Sequence, residues 1–152
     1  MLYIDYVRVN SSDGLKDALK IREQVFVKEQ RIKVEDEIDE YDIIDLDKVW
    51  HFVGYSSEVP VCTARVIFHG DKVKIGRVAV RPKWRGQMVA NDMLMAIEMI
   101  IREMTNCEMV YVESQVYIKS LYEKLGYKIV GQEYIEVETG ISHIKMEKII
   151  EG

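Results

Sequence analysis

The sequence predicts an α/β (α+β) domain in which a mixed, mostly antiparallel central sheet is flanked by helices, and three observations carry the prediction. Residues 49–80 hold three strand-like runs, VWHFVGY (49–55), VPVCTARVIFH (59–69) and KVKIGRVAV (72–80). Their connections are the short turns Ser56, Ser57, Glu58 and Gly70, Asp71, so the runs form an antiparallel meander. From Val89 onward, Val89, Ala90, Met93, Leu94, Ile97, Ile100 and Ile101 recur at helical spacing, with Asn91, Asp92, Glu98 and Arg102 between them. A further run, MVYVES (109–114), follows that helix, and the crossover sets 73–81 and 109–114 side by side and parallel.

The elements follow in order. LYIDYVRV (2–9) alternates as a first strand, and Ser12 is placed to cap a helix through about Gln30, with Leu15, Ala18, Leu19, Arg22, Val25 and Phe26 along one stripe. The acidic stretch EDEIDEYDIIDLD (35–47) carries Ile38, Tyr41, Ile43, Ile44 and Leu46 among its charges, so it reads as a loop or short helix lying on the body. After the meander, Val78 and Val80 flank Ala79 in a strand that Pro82 must end, because proline cannot donate to a ladder. The helix of about 86–104 starts at once, so its first turn near Arg85 to Ala90 presents free N–H groups and a positive dipole end at the strand tip. A helix of about 117–125 ends at Gly126, a strand runs over 127–137, and Glu138, Thr139 and Gly140 turn the chain into a last strand at 141–149.

At 152 residues, 48% of them hydrophobic and 31% charged, the chain suits a single domain over 1–152, with no repeat or linker to mark a boundary. Apolar runs are broken well short of a membrane span, and Asp5 and Arg8 stand where a signal peptide would be apolar, so a cytoplasmic protein with no membrane partner is expected. Residues 35–47 hold eight carboxylates and no Lys or Arg, so setting them aside turns the net charge of −5 into +3 for the rest. That argues against nucleic-acid binding and leaves room for a basic anion site beside an acidic surface that attracts cations. The acidic stretch by itself reads as a solvated flank. Cys62 and Cys107 fall in strand-like stretches outside any CxxC pair and read as buried free thiols. His51 and His69 lack partners at metal-ligand spacing and read as packing residues, and no metal is expected. The Met-rich helix, with Met88, Met93, Met95, Met99 and Met104, reads as adaptable core or a homodimer face.

With RVAVRPKWRGQMVA (77–90) in the middle and LYEKLGY (121–127) near the end, the chain resembles the GNAT superfamily of acyl-CoA-dependent N-acetyltransferases over nearly its whole length. IREQVFVKEQ (21–30) and GISHIKM (140–146) resemble a group of small bacterial members. The resemblance implies a GNAT fold whose central parallel strands splay apart, with acetyl-CoA as co-substrate. The family's pyrophosphate loop, R-x-x-G-x-G/A, is matched by Arg85, Gly86 and Ala90 across Arg85, Gly86, Gln87, Met88, Val89 and Ala90, while Met88 stands where glycine is usual. Met88 is expected in right-handed helical geometry with its thioether turned aside. The resemblance further implies that Val78, Ala79 and Val80 hold the pantetheine arm through their backbone, with the Val78 N–H polarising the thioester carbonyl. It places the N–H groups of residues 86–90, with Asn91, on the pyrophosphate, and Gln115 on the arm or the start of the following helix. Tyr122 matches the tyrosine that serves as general acid to the departing thiolate, and its phenol is protonated at neutral pH.

The general base stays open between Glu113, Glu133, His143 and a relaying water. The implied activity is direct acetyl transfer to a primary amine, a small molecule or peptide that is cationic if the acidic stretch steers it. The alternatives are a non-catalytic acyl-CoA-binding or sensing module and an interaction domain using the acidic face. No GxSxG, Walker or CxxC motif supports a hydrolase, NTPase or redox reading.

Overall fold

Alternating β-branched and aromatic residues in the meander give each strand two faces, and both are covered. In the computed structural model, which describes residues 3–150, the strands are β1 (Asp5–Arg8), β2 (Val49–Ser56), β3 (Val59–His69), β4 (Lys72–Val80), β5 (Met109–Gln115), β6 (Lys128–Ile129), β7 (Tyr134–Ile135) and β8 (Ser142–Ile149). They make one sheet in the order β1-β2-β3-β4-β5-β8-β6, with β7 also on β8. The helices are α1 (Ser12–Arg22), α2 (Val34–Glu37), α3 (Val89–Met104) and α4 (Lys119–Lys124). On one face, Met93, Leu94, Ile97 and Ile101 of α3 bury against Phe52, Val66, Ile75, Val110 and Met146. On the other, Ala18 and Ile21 of α1, with Val25 and Phe26, cover Val53 and Ala79. Each such aliphatic side chain contributes about 1.5–3 kcal/mol of burial, so the two layers fix the sheet between them.

The parallel pair is present and it splays. β4 and β5 are paired only at Val73 with Val110 and Lys74 with Tyr111. Beyond that point both strands hydrogen-bond only their outer neighbours, β3 and β8, and a wedge opens between them. The β3–β4 register shifts between Thr63 and Arg65, opposite Arg77, whose φ of 51° puts a bulge in β4 at the mouth of the wedge.

Several boundaries depart from the sequence reading. The first helix is capped by Ser11, whose Oγ accepts the Gly14 N–H at 3.2 Å, and Ser12 is already helical. Its helical stripe does run on, but from Glu23 to Glu29 the winding is π, which shifts the face carrying Glu29 and Gln30. The first strand is only β1, and Leu2 lies outside the described residues. The run 127–137 is two short strands separated around Gly131, and Cys107 lies in the loop after α3. The Met-rich helix divides: Met93 is core, and Met95, Met99 and Met104 are exposed.

The acidic stretch is not simply a solvated flank. α2 and the loop after it lie on the sheet, where Arg22, 1% exposed, donates to Glu37 at 2.8 Å and Asp42 at 2.6 Å. Arg65 grips Asp39 at 2.8 and 2.9 Å, and Arg77 reaches Glu37 at 3.0 Å. His51, buried under the same loop, has Nε2 at 3.1 Å from the carbonyl oxygens of Tyr41 and Ile43. Charges that looked like surface in sequence thus anchor the segment, because three arginines on α1, β3 and β4 face it.

Candidate active site

The wedge between β4 and β5 opens on two neighbouring cavities of about 450 Å³ each. Gln30, Val78 and Ile118 line both, and Gln115 at the end of β5 bridges to Gln30 by donating to its Oε1 at 2.9 Å. Gln30 in turn donates to the Tyr117 hydroxyl at 3.2 Å, so this pair ties the π-helical turn to the start of α4.

The first cavity gathers most of the residues expected at a coenzyme site. Val78, Ala79, Val80, Arg85, Met88, Ala90 and Asn91 line it, with Leu121 and Lys124 of α4 opposite. Gly86 and Gln87 form the turn beside it, and the Val89 side chain is buried in the core below. α3 starts without a side-chain cap, and its first backbone bond runs from Asp92 N–H to Met88 O at 2.9 Å. The N–H groups of Val89, Ala90 and Asn91 therefore project from the helix end without intrahelical acceptors.

Met88 corrects an expectation. Its backbone is left-handed, φ 64° and ψ 17°, not right-handed. With Gly86 at φ 74° it folds the extended backbone at Arg85 sharply into α3. A side chain in that region costs about 1–2 kcal/mol, and the Met88 side chain, 63% exposed, does not offset it by burial. Arg85 is the second surprise. Its guanidinium is held in a bidentate pair by Glu29, at 2.6 and 2.8 Å, while its Nε donates to Val80 O at 2.9 Å. The hydrogen bonds from Arg85, and then its charge, hold the Glu29 carboxyl below its usual range.

The second cavity holds Tyr122 and the base candidates Glu113 and His143. Tyr122 is 4% exposed and packs edge-on against Tyr127 at 5.5 Å between ring centroids. Burial pushes its phenol well above the ordinary tyrosine value, so it keeps its proton at any physiological pH. Glu113 is occupied, paired with Lys74 at 2.9 Å, and Glu133 is exposed and outside both cavities. His143 is 7% exposed, with Nδ1 at 2.8 Å from Ile141 O and Nε2 at 3.7 Å from Glu136 Oε2. The rim is acidic: Glu35, Asp36, Glu136 and Glu138 line it without a Lys or Arg partner among the described residues. Cys62 lies deep in the sheet, and burial pushes its thiol up to about 12, which removes it as a nucleophile.

Four participants escaped the sequence reading: Glu29, Gln30, Glu136 and Glu138. Glu29 and Gln30 close the run IREQVFVKEQ without a role read for either, and Glu136 and Glu138 belong to no motif. Glu29 and Gln30 reach the site only through the π-helical winding, and Glu136 and Glu138 only because β7 folds back on β8.

The chain is similar to known proteins in sequence and in fold. A family model described as an acetyltransferase (GNAT) domain matches residues 23–150. YjcF, an uncharacterized N-acetyltransferase of Bacillus subtilis, is 30% identical over 142 residues, 93% of this chain and 97% of that protein. The crystal structure of Escherichia coli ElaA superposes with a TM-score of 0.80 at 27% identity, over 97% of this chain and 99% of the other. That of an acyl-CoA N-acyltransferase from Pseudomonas aeruginosa gives 0.81 at 25%, over 96% and 99%. With the family's match over most of its length and the splayed β4–β5 pair at its centre, the chain belongs to the GNAT acetyltransferase family, which uses acyl-CoA as co-substrate.

Proposed function

We propose that the protein transfers the acetyl group of acetyl-CoA to a primary amine by direct attack within a ternary complex. The observation that carries this is the pair of neighbouring cavities with shared walls, one lined by the uncapped start of α3 and the other by the buried Tyr122. The first suits an elongated thioester coenzyme: free N–H groups of Val89, Ala90 and Asn91 for the pyrophosphate, and the backbone of Val78, Ala79 and Val80, which β5 does not pair though Arg85 takes the Val80 carbonyl, for the pantetheine arm. When bound, the coenzyme supplies an activated acetyl group. Tyr122 then provides the proton that the leaving sulfur needs, and burial favours that role by keeping the phenol neutral. Gln115 and Gln30 hold the junction between the two cavities.

The acidic rim supports a cationic acceptor, since it raises the local concentration of ammonium groups. The test is an acetyl-CoA assay that follows thiol release with 1,4-diaminobutane, glucosamine, a lysine-containing peptide and neutral amines. Turnover with one or more cationic amines is expected. Coenzyme binding without thiol release on any amine would overturn catalysis in favour of an acyl-CoA-binding module.

A further inference from the structure

We infer that His143 is the general base of this site, taking through Nε2 a proton from the ammonium group of the acceptor. The inference rests on the acyl-transfer reading above and adds a residue and an atom to it. Nδ1 lies 2.8 Å from the carbonyl oxygen of Ile141. A carbonyl can only accept, so Nδ1 carries the hydrogen, and the neutral ring keeps its lone pair on Nε2. His143 lines the acceptor cavity together with Tyr122. The nearest acidic oxygen is Oε2 of Glu136 at 3.7 Å, too long for a hydrogen bond and close enough to stabilise a positive ring. The ring is held in place by stacking on Tyr134, 5.9 Å between centroids and 27° between planes. Gln115 on β5 is its cross-strand partner. A buried imidazole lining a cavity, with one nitrogen fixed by the backbone, the other without a hydrogen-bond partner among the described residues and a carboxylate nearby, has the geometry of a proton acceptor.

The protons balance. His143 Nε2 removes one proton from the ammonium group, which frees the nitrogen lone pair, and passes it to water at the acidic rim. The neutral amine forms its bond to the acyl carbon as the carbon–sulfur bond breaks, and Tyr122 gives its proton to the sulfur that leaves with the electron pair. The nitrogen's second surplus proton returns Tyr122 to its starting state through solvent.

The test is His143→Asn, whose amide can keep the hydrogen bond to Ile141 O and has nothing at the Nε2 position. With whichever panel amine the wild type uses best, kcat/KM should fall by about 10²-fold or more. Acetyl-CoA affinity by calorimetry should stay within about twofold, and added imidazole should restore part of the turnover. Methoxyamine, already neutral at pH 7, should lose far less. His143→Gln serves as a second variant should the asparagine form fail to fold. Undiminished turnover in a folded variant, or equal losses for methoxyamine and alkyl amines without imidazole rescue, overturns the inference and leaves the acyl-transfer reading intact. A wild type that binds acetyl-CoA and acetylates nothing overturns both.

Discussion

Met88 and Tyr122 show how single residues set the site's properties. The left-handed backbone of Met88 is a strained conformation for a residue with a Cβ, and its exposed side chain offsets none of that strain by burial. Met88→Gly is therefore expected to raise stability by about 1 kcal/mol in urea unfolding, since glycine adopts φ near 64° freely. It should also tighten coenzyme binding in calorimetry by clearing the approach to the α3 N–H groups; unchanged or weaker binding would detach this turn from the phosphate. For Tyr122→Phe the ring and its edge-on packing on Tyr127 survive, and only the hydroxyl is lost. Turnover should drop by about 10²-fold with coenzyme affinity preserved, as single proton-donor deletions do. Equal turnover would remove Tyr122 from the reaction.

Among the elements, the acidic segment is the one whose sequence misleads most. Its charges suggest solvent, yet Asp42 and Glu37 are buried against Arg22. Burial alone would raise the Asp42 carboxyl, and the hydrogen bonds and charge of Arg22 outweigh it, holding Asp42 below its usual range. A carboxyl lowered in the folded state adds stability above its unfolded value, near pH 4, and loses it as pH falls through the folded value. Burial raises Glu37, against the pull of Arg22 and Arg77, so Glu37 works in the opposite sense. Acid unfolding followed by circular dichroism should thus begin below about pH 4, and Asp42→Asn should flatten that limb. The same variant should cost about 3–5 kcal/mol at neutral pH, because Arg22 would be left buried and half-paired. A loss under 1 kcal/mol would mean that Glu37 alone suffices to hold Arg22.

For the whole molecule, charge is unevenly distributed: the turn before α3 carries Arg81, Lys83 and Arg85, the last paired with Glu29, and carboxylates line the second cavity. Replacing Glu35 and Asp36 with their amides should lower kcat/KM for 1,4-diaminobutane several-fold and leave a neutral amine unaffected. The difference should vanish near 0.5 M NaCl, where screening shrinks to about 4–5 Å. Persistence at high salt would point to direct contact with the acceptor, not to steering.

By itself the sequence determined the mixed sheet, the antiparallel meander, the parallel crossover and the strand–turn–helix with Tyr122 downstream. These follow from periods of two and 3.6 and from short turns, which are local properties of the chain. The choice among Glu113, Glu133 and His143 was beyond it, because each is one titratable residue on a strand or loop of similar polarity. Tertiary structure distinguishes their surroundings: Glu113 pairs with Lys74, Glu133 is exposed, and His143 is buried in the lining of the second cavity. It likewise decided the left-handed turn at Met88, the capture of Arg85 by Glu29 and the burial of Asp42. A residue's partner is set by how distant segments pack, and the spacing of residues along one strand or helix carries no record of the groups that face them from another.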